Sequence, residues 1–344
     1  MRPPRFPILL LASFTLLVTL SCALGDRLQI TYQSPPTASI PAEFYTPTPS
    51  LPSPTSEAEA PSSEAPESPA PPVPEEFAPC DEKVCIESGS FVLKRPISPE
   101  YRYTIDTASR FGTLRRRLRD AYLGVQFLNS TGTPVLAAWD GDVVVAGDDS
   151  QVSYGVRPNM YGNLVILRHF LPGIPEPVYT LYAHLSEVSV KVEGDVEAGE
   201  QIGLVGMSGS VRGSTLYFEV RYGENSYEAV RNPELWLELL TDETGDLMGA
   251  LAGRVVDKQG NYVPLSNILI ENLRTTNQGQ VRQIYLKTYI EGDLLGKSPW
   301  GETFAASNLP EGTYQISFWH GSKLYQRQVE VQPGMLTFVP FEVK

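Results

Sequence analysis

Between Thr180 and Val220 the chain reads TLYAHLSEVSVKVEGDVEAGEQIGLVGMSGSVRGSTLYFEV, and glycines at 194, 199, 206, 209 and 213 cut it into short apolar runs. This punctuation constrains the fold more than any other feature. The runs Val188/Val190/Val192, Ile202/Leu204 and Leu216/Phe218/Val220 repeat every second residue, the period of a strand with one face buried, and not the 3.6 of a helix. Tight turns at the glycines then join strand to strand. His184 opens the first run, and the alternation at the end of the stretch aims Thr215 and Tyr217 at one face.

The same pattern extends in both directions. YLGVQFLNSTGTPVLAAWDGDVVVAG (122–147) places Val135/Ala137 and Val143/Val145 on runs separated by Asp140-Gly141, a dipeptide that predicts a hairpin turn. YGNLVILRH (161–169) predicts a further strand, followed by a loop with Pro172, Gly173, Pro175 and Pro177. Asn232-Pro233 is expected to cap a short helix, PELWLELL. After residues 241–249 the alternation restarts in GRVVDKQGNYVPLSNILIEN and continues to the end, as in a small antiparallel sandwich. The expected fold class is therefore all-β, with an antiparallel β domain followed by a β-sandwich.

The first 79 residues read differently. Arg2 and Arg5 precede an apolar run from Ile8 to Leu20 that is too short for a comfortable membrane span, then small residues, the pattern of a secretory signal. Cleavage after Ala23 gives a secreted chain, whereas lipid modification of Cys22 gives a membrane-anchored one. Leu20 and Ser21 suit the second outcome and Thr19 does not. Residues 24–79, rich in Pro, Ser, Thr, Ala and Glu, lack the apolar side chains to offset the entropy of ordering and predict a disordered spacer. Four segments are thus expected: signal 1–23, linker 24–79, first β domain 80–246 and sandwich 247–344. In an exported chain Cys80 and Cys85 are expected to form a small-loop disulfide, since no further Cys or nearby His completes a metal half-site. A net charge of −13 argues against nucleic acid as a partner. Against that acidity, the basic cluster Arg115, Arg116, Arg117 and Arg119 could face anionic wall polymers or form a solvated face.

Several ordered motifs now carry a resemblance. Gly124, Phe127, Gly132–Val135 and Ala137, then TyrGlyAsn at 161–163, TyrAlaHisLeu at 182–185, the Gly-Asp-Val-x-x-Gly-x-x-Ile-Gly-x-Val-Gly run at 194–206, and PheGluVal at 218–220 resemble the LytM-type, or lysostaphin-like, zinc endopeptidases of bacterial cell walls. The resemblance implies a LytM-like antiparallel domain of the duplicated hybrid motif type. Lipoyl and biotin carriers share part of the glycine pattern but need an exposed lysine, and none occurs between Lys191 and Leu240. The opening Gly253-Arg254-Val255 and LeuProGluGlyThrTyr at 309–314 make the C-terminal part similar to transthyretin-like or carboxypeptidase-regulatory-like domains.

The resemblance also implies a site, and the sequence departs from it. In the family, zinc is held by a His, an Asp four residues later, and the second His of a His-x-His before PheGluVal. At the matching positions this chain has Tyr122, Gln126 and Tyr217, and Thr215 replaces the first His of the pair. His184 is the family residue that remains. A phenol with a pKa of about 10 and an uncharged amide are poor substitutes for imidazole and carboxylate. His169, the other histidine nearby, is expected to be structural, and His320 is assigned no role. The expectation is a pseudoenzyme without zinc, exported to the cell surface or wall. Its degenerate groove, floored by Tyr122, Gln126, His184, Thr215 and Tyr217, would bind peptidoglycan or a wall hydrolase. An active endopeptidase with an unconventional site is the alternative.

Overall fold

The computed structural model describes residues 83–112, 121–264, 267–274, 283–289 and 301–344. The signal, the linker, Cys22, Cys80 and the arginine cluster at 115–119 lie outside these residues, and with them the anchor and the expected Cys80–Cys85 pairing. Strand β1 (Cys85–Ser88) is followed by nine strands that form one sheet: β2 (Val125–Phe127), β3 (Pro134–Leu136), β4 (Gly141–Asp148), β5 (Asn163–His169), β6 (Val178–Val188), β7 (Asp195–Val196), β8 (Gln201–Val205), β9 (Leu216–Tyr222) and β10 (Val230–Arg231). The main path runs β10-β9-β6-β5-β4-β7; β2 lies against β9, and β8 joins β6 to β3. Every pairing in this sheet is antiparallel.

Period 2 divides the side chains of this sheet between two cores. Val165 and Leu167 of β5, Tyr182 and Leu185 of β6, and Leu216, Phe218 and Val220 of β9 enter the larger one. Leu164 and Ile166, Leu181 and Ala183, and Tyr217 enter a smaller cluster on the other face. Both faces of β5, β6 and β9 are therefore covered, and the candidate site lies on the face of the smaller cluster.

Three local expectations are corrected. The run Val188/Val190/Val192 is not a strand: β6 ends at Val188, and Val192 is 51% exposed in the turn that follows. Asp140-Gly141 does not close a hairpin, because β3 pairs with β8 while β4 pairs with β5 and β7. It is a corner between two pairings, fixed from outside. The Asp140 carboxylate accepts from Ala198 N (2.7 Å), and a Cβ on Gly141 would lie 2.3 Å from the Arg168 carbonyl oxygen. The helix expected over PELWLELL shrinks to one 3-10 turn, Pro233–Leu235, with Asn232 Oδ1 accepting from Glu234 N (3.0 Å). Leu235, Trp236 and Leu237 are all buried, which one face of a helix cannot achieve for three consecutive residues. The turn ends before Leu237, which forms a parallel bridge with Leu93.

The C-terminal strands β11 (Gly249–Asp257), β12 (Ile268–Asn272), β13 (Gln283–Leu286), β14 (Phe304–Leu309), β15 (Gly312–His320), β16 (Lys323–Val331) and β17 (Met335–Val343) build two four-stranded sheets, β1-β17-β11-β14 and β13-β12-β15-β16. They share a core, as a sandwich does. It is not purely antiparallel, since β11 and β17 pair in parallel. Nor does it begin after residue 246, because β1 adds to the free edge of β17. The sheet containing β11 and β17 is buried on both sides. Leu251, Val255, Val339 and Phe341 face the sandwich core, while Ala250, Ala252, Ala305, Leu336 and Phe338 join the large core of the first domain. The two domains thus share one apolar interior. Phe338→Ala is expected to cost about 3–5 kcal/mol and to shift both domains in a single cooperative transition, read by urea denaturation followed through near-UV and far-UV circular dichroism.

Candidate functional site

Strand pairing sets the candidate residues. Gln126 of β2 lies opposite Tyr217 of β9, and Tyr217 lies opposite Ala183 of β6, so two of the expected ligand positions are cross-strand neighbours, while Tyr122 precedes β2. Gly124 makes room for Tyr217: a Cβ there would sit 2.8 Å from the Tyr217 ring. Thr215 precedes β9, bridges to Gly206, and donates its hydroxyl to the Phe127 carbonyl (3.1 Å). His184 sits at a bulge in β6 with φ +65°, the left-handed region that a side chain enters at a cost of about 1 kcal/mol. Its backbone N–H reaches the Tyr161 carbonyl (2.9 Å), and its Nδ1 lies 2.9 Å from the Ser208 carbonyl. A carbonyl only accepts, so Nδ1 carries a proton.

The loop holding Ser208 is fastened by backbone contact. Gly162 and Gly209 both have positive φ, and a Cβ on Gly162 would lie 2.4 Å from Gly209 N. Ser208 Oγ accepts from Asn163 N (2.9 Å) and donates to the Leu185 carbonyl (2.8 Å).

The five expected residues do not share one floor. Tyr122, Gln126 and Thr215 line a groove of about 1110 Å³. Tyr217 and His184 lie beneath it, 0% and 1% exposed, with their rings 5.7 Å apart. Of the two tyrosines expected on the floor only Tyr122 lines the groove, because Tyr217 is held down by a partner below. Its hydroxyl donates to Glu219 Oε1 (2.9 Å), which also accepts from the Tyr161 hydroxyl (2.6 Å). Glu219 Oε2 takes Nε (3.1 Å) and Nη2 (2.9 Å) of Arg221, and both side chains of this ion pair are fully buried. Arg221 reaches further to Asn225 Oδ1 and the Tyr154 carbonyl, each at 2.9 Å. Burial works against the Arg221 charge, but the adjacent Glu219 carboxylate outweighs it and holds the guanidinium above its ordinary range. Burial, reinforced by Glu219, pushes the Tyr161 phenol well above its ordinary value. Sequence reasoning missed Tyr161, Glu219 and Arg221 as a site, although Tyr217, Glu219 and Arg221 at two-residue spacing must share a face.

This donor set does not fit a tetrahedral zinc: one imidazole, two phenols, an amide and a hydroxyl, with the central phenol committed to a carboxylate. Among the described residues no three His, Cys, Asp or Glu side chains group closely enough to hold a metal. His169 lies elsewhere in the sheet, buried, with Nδ1 2.9 Å from the Asp140 carbonyl and Nε2 2.7 Å from the Thr180 hydroxyl. That hydroxyl is 2.9 Å from the Tyr182 phenol, which accepts from Ala138 N (2.8 Å).

With this geometry the comparisons with known proteins can be placed. Residues 121–229 match the sequence model of Peptidase family M23, and this segment is an M23, or LytM-type, domain. The chain is 36% identical over 117 residues to the cell division protein DipM of Caulobacter vibrioides, covering 34% of this chain and 17% of DipM. It is 39% identical over 100 residues to the DD-carboxypeptidase/endopeptidase Mpg of Neisseria meningitidis (29% and 20%). It is 32% identical over 108 residues to the murein hydrolase activator NlpD of Escherichia coli (31% and 25%). The shared segment spans a quarter or less of each relative. The catalytic domain of lysostaphin from Staphylococcus simulans is similar at 28% identity over 36% of this chain and 85% of that one, with a TM-score of 0.31. The family match ends at residue 229, so the transthyretin-like resemblance of the sandwich rests on its motifs alone.

Two outcomes follow from the buried groups. Glu219→Gln leaves Arg221 buried without its counter-charge and is expected to cost about 3–5 kcal/mol, against about 1 kcal/mol for Tyr217→Phe, which removes one hydrogen bond; chemical denaturation of both variants checks the difference. Burial also lowers the pKa of His169 below its usual value. Below about pH 6.5 the unfolded chain therefore takes up a proton that the folded chain resists, and stability falls as pH falls, by at most about 1.4 kcal/mol per pH unit for this group. A His169→Gln variant should show a shallower loss between pH 7 and pH 5 in thermal melts; an unchanged slope would assign the effect elsewhere.

Proposed function

We propose that this chain is an exported, non-catalytic M23 module that works at the cell wall by binding through its degenerate groove, engaging peptidoglycan or a wall hydrolase. One observation carries the reading. The strand position that resembles the family's third ligand is a fully buried tyrosine whose hydroxyl is donated to Glu219. A metal there would have to displace a hydrogen bond inside a satisfied ion-pair network, and its other neighbours, Tyr122 and Gln126, offer no charge at neutral pH. The N-terminal signal supports an extracytoplasmic location, with Cys22 as the residue for a lipid anchor. The relatives include a murein hydrolase activator, which supports regulation, and a DD-carboxypeptidase/endopeptidase, which keeps cleavage as the reading to exclude.

Metal analysis of the purified protein with a digestion assay on isolated peptidoglycan tests this. The expected result is sub-stoichiometric zinc and no released fragments; stoichiometric zinc with cleavage would overturn the proposal. Retention on purified sacculi is the positive arm. Replacing the groove-lining pair Tyr122→Ala and Gln126→Ala is expected to lower it severalfold, whereas Tyr217→Phe, beneath the floor, should leave it unchanged.

A further inference from the structure

The groove is not made by the M23 domain alone. One wall comes from the C-terminal sandwich, through Tyr285, Leu286, Lys287 and Tyr289. Strand β13 pairs with β12 on one side and is a sheet edge among the described residues. Ile284 and Leu286 send their side chains toward the sandwich core. Yet Leu286 lines the groove, and Ile284 lines an adjoining cavity of about 550 Å³ that also contains Gln283 and Tyr285. From residue 283 to 287, roughly 13 Å at the rise of a strand, this sheet edge lines the two adjoining spaces. Tyr285 stands beside it, 69% exposed.

The charge of the groove is the reverse of the chain's. In a protein of net charge −13, its described lining includes Arg110, Arg157, Arg212 and Lys287 and neither aspartate nor glutamate. Arg110 is neutralised by Glu234, the carboxylate in the adjoining cavity. Among the described residues Arg157, Arg212 and Lys287 make no ion pair.

We infer that the groove takes an extended acidic peptide segment of a partner protein, which adds as a strand along the edge of β13 that is unpaired among the described residues, while Arg157, Arg212 and Lys287 hold its carboxylates. Edge pairing supplies affinity through main-chain hydrogen bonds, and the cations select the partner. A sugar chain has no backbone amides to match a strand edge, so the edge favours a peptide. The inference rests on the reading of the groove as a binding site and names its ligand.

Fluorescence anisotropy with the full chain and a labelled linear peptide alternating glutamate and valine tests it. Binding should weaken with added salt. It should fall at least about tenfold when lysine replaces glutamate in the peptide, and by a similar factor with Arg212→Glu and Lys287→Glu together, both at exposed positions. N-methylation of alternate peptide amides, which preserves charge and blocks edge pairing, should cost about as much. Equal binding of acidic and basic peptides, or indifference to N-methylation, would overturn the proposal. So would binding of a purified muropeptide in place of the linear peptide, an outcome that leaves the groove a wall-binding site. Zinc-dependent cleavage in the digestion assay would remove the non-catalytic reading alone, since peptide binding is read independently.

Discussion

Glu219 and Arg221, two residues apart on β9, are buried together at the centre of the second face of the sheet, and much of the local structure serves that pair. Taking two charges out of water costs several kcal/mol per ion, recovered only if the geometry is good and the remaining donors and acceptors are satisfied. Here they are: two phenols donate to one carboxylate oxygen, the guanidinium chelates the other, and Asn225 and the Tyr154 carbonyl take the outward N–H groups. Each partner is thereby fixed in turn. Tyr161 is drawn in from the segment before β5 and Tyr154 from the loop ahead of it, while Tyr217 is turned away from the groove. The floor of the groove is shaped by an ion pair that no ligand can reach.

The M23 sheet is held from its other face by the large apolar core, and that core continues through Ala250, Ala252, Leu336 and Phe338 into the C-terminal sheet. Small alanines on β11 let the two sheets approach, and β1 closes the edge of β17. Polar contacts add register: Glu234 accepts from the Ser307 N–H (3.1 Å), and Asn232 Nδ2 donates to the Tyr289 hydroxyl (2.8 Å). The groove wall supplied by β13 is consequently held at a fixed position relative to the M23 site.

How much of this was readable from the sequence depends on whether the cause was local. Strands β5, β8 and β9 followed from two-residue alternation and glycine punctuation, which are properties of the segments themselves, whereas the run Val188/Val190/Val192 leaves the sheet after Val188. The departures at Tyr122, Gln126, Thr215 and Tyr217 were read from ordered motifs on either side of them. Non-local causes were not readable. Asp140-Gly141 has the composition of a hairpin turn, but Ala198 and Arg168, distant in sequence, make it a corner. PELWLELL has helix-forming residues, but three consecutive buried side chains overrode that propensity. The depth of Tyr217 depended on where Glu219 pointed, and only the assembled face decides that.

A zinc endopeptidase site must leave one coordination position open to water, so the ligand face has to be both polar and accessible. In this chain the corresponding face satisfies neither condition at its centre: the polar groups are bonded to one another, and the ring of Tyr217 lies between them and the groove. Restoring histidine at position 217 alone would leave Glu219 short of a donor and still offer the metal a phenol and an amide as its other neighbours. Loss of catalysis on this reading is a change in the buried network as much as in the ligands. With Glu219 satisfied from within, the groove above is lined by other residues, and its cations lie outside the positions that resemble the family's ligands.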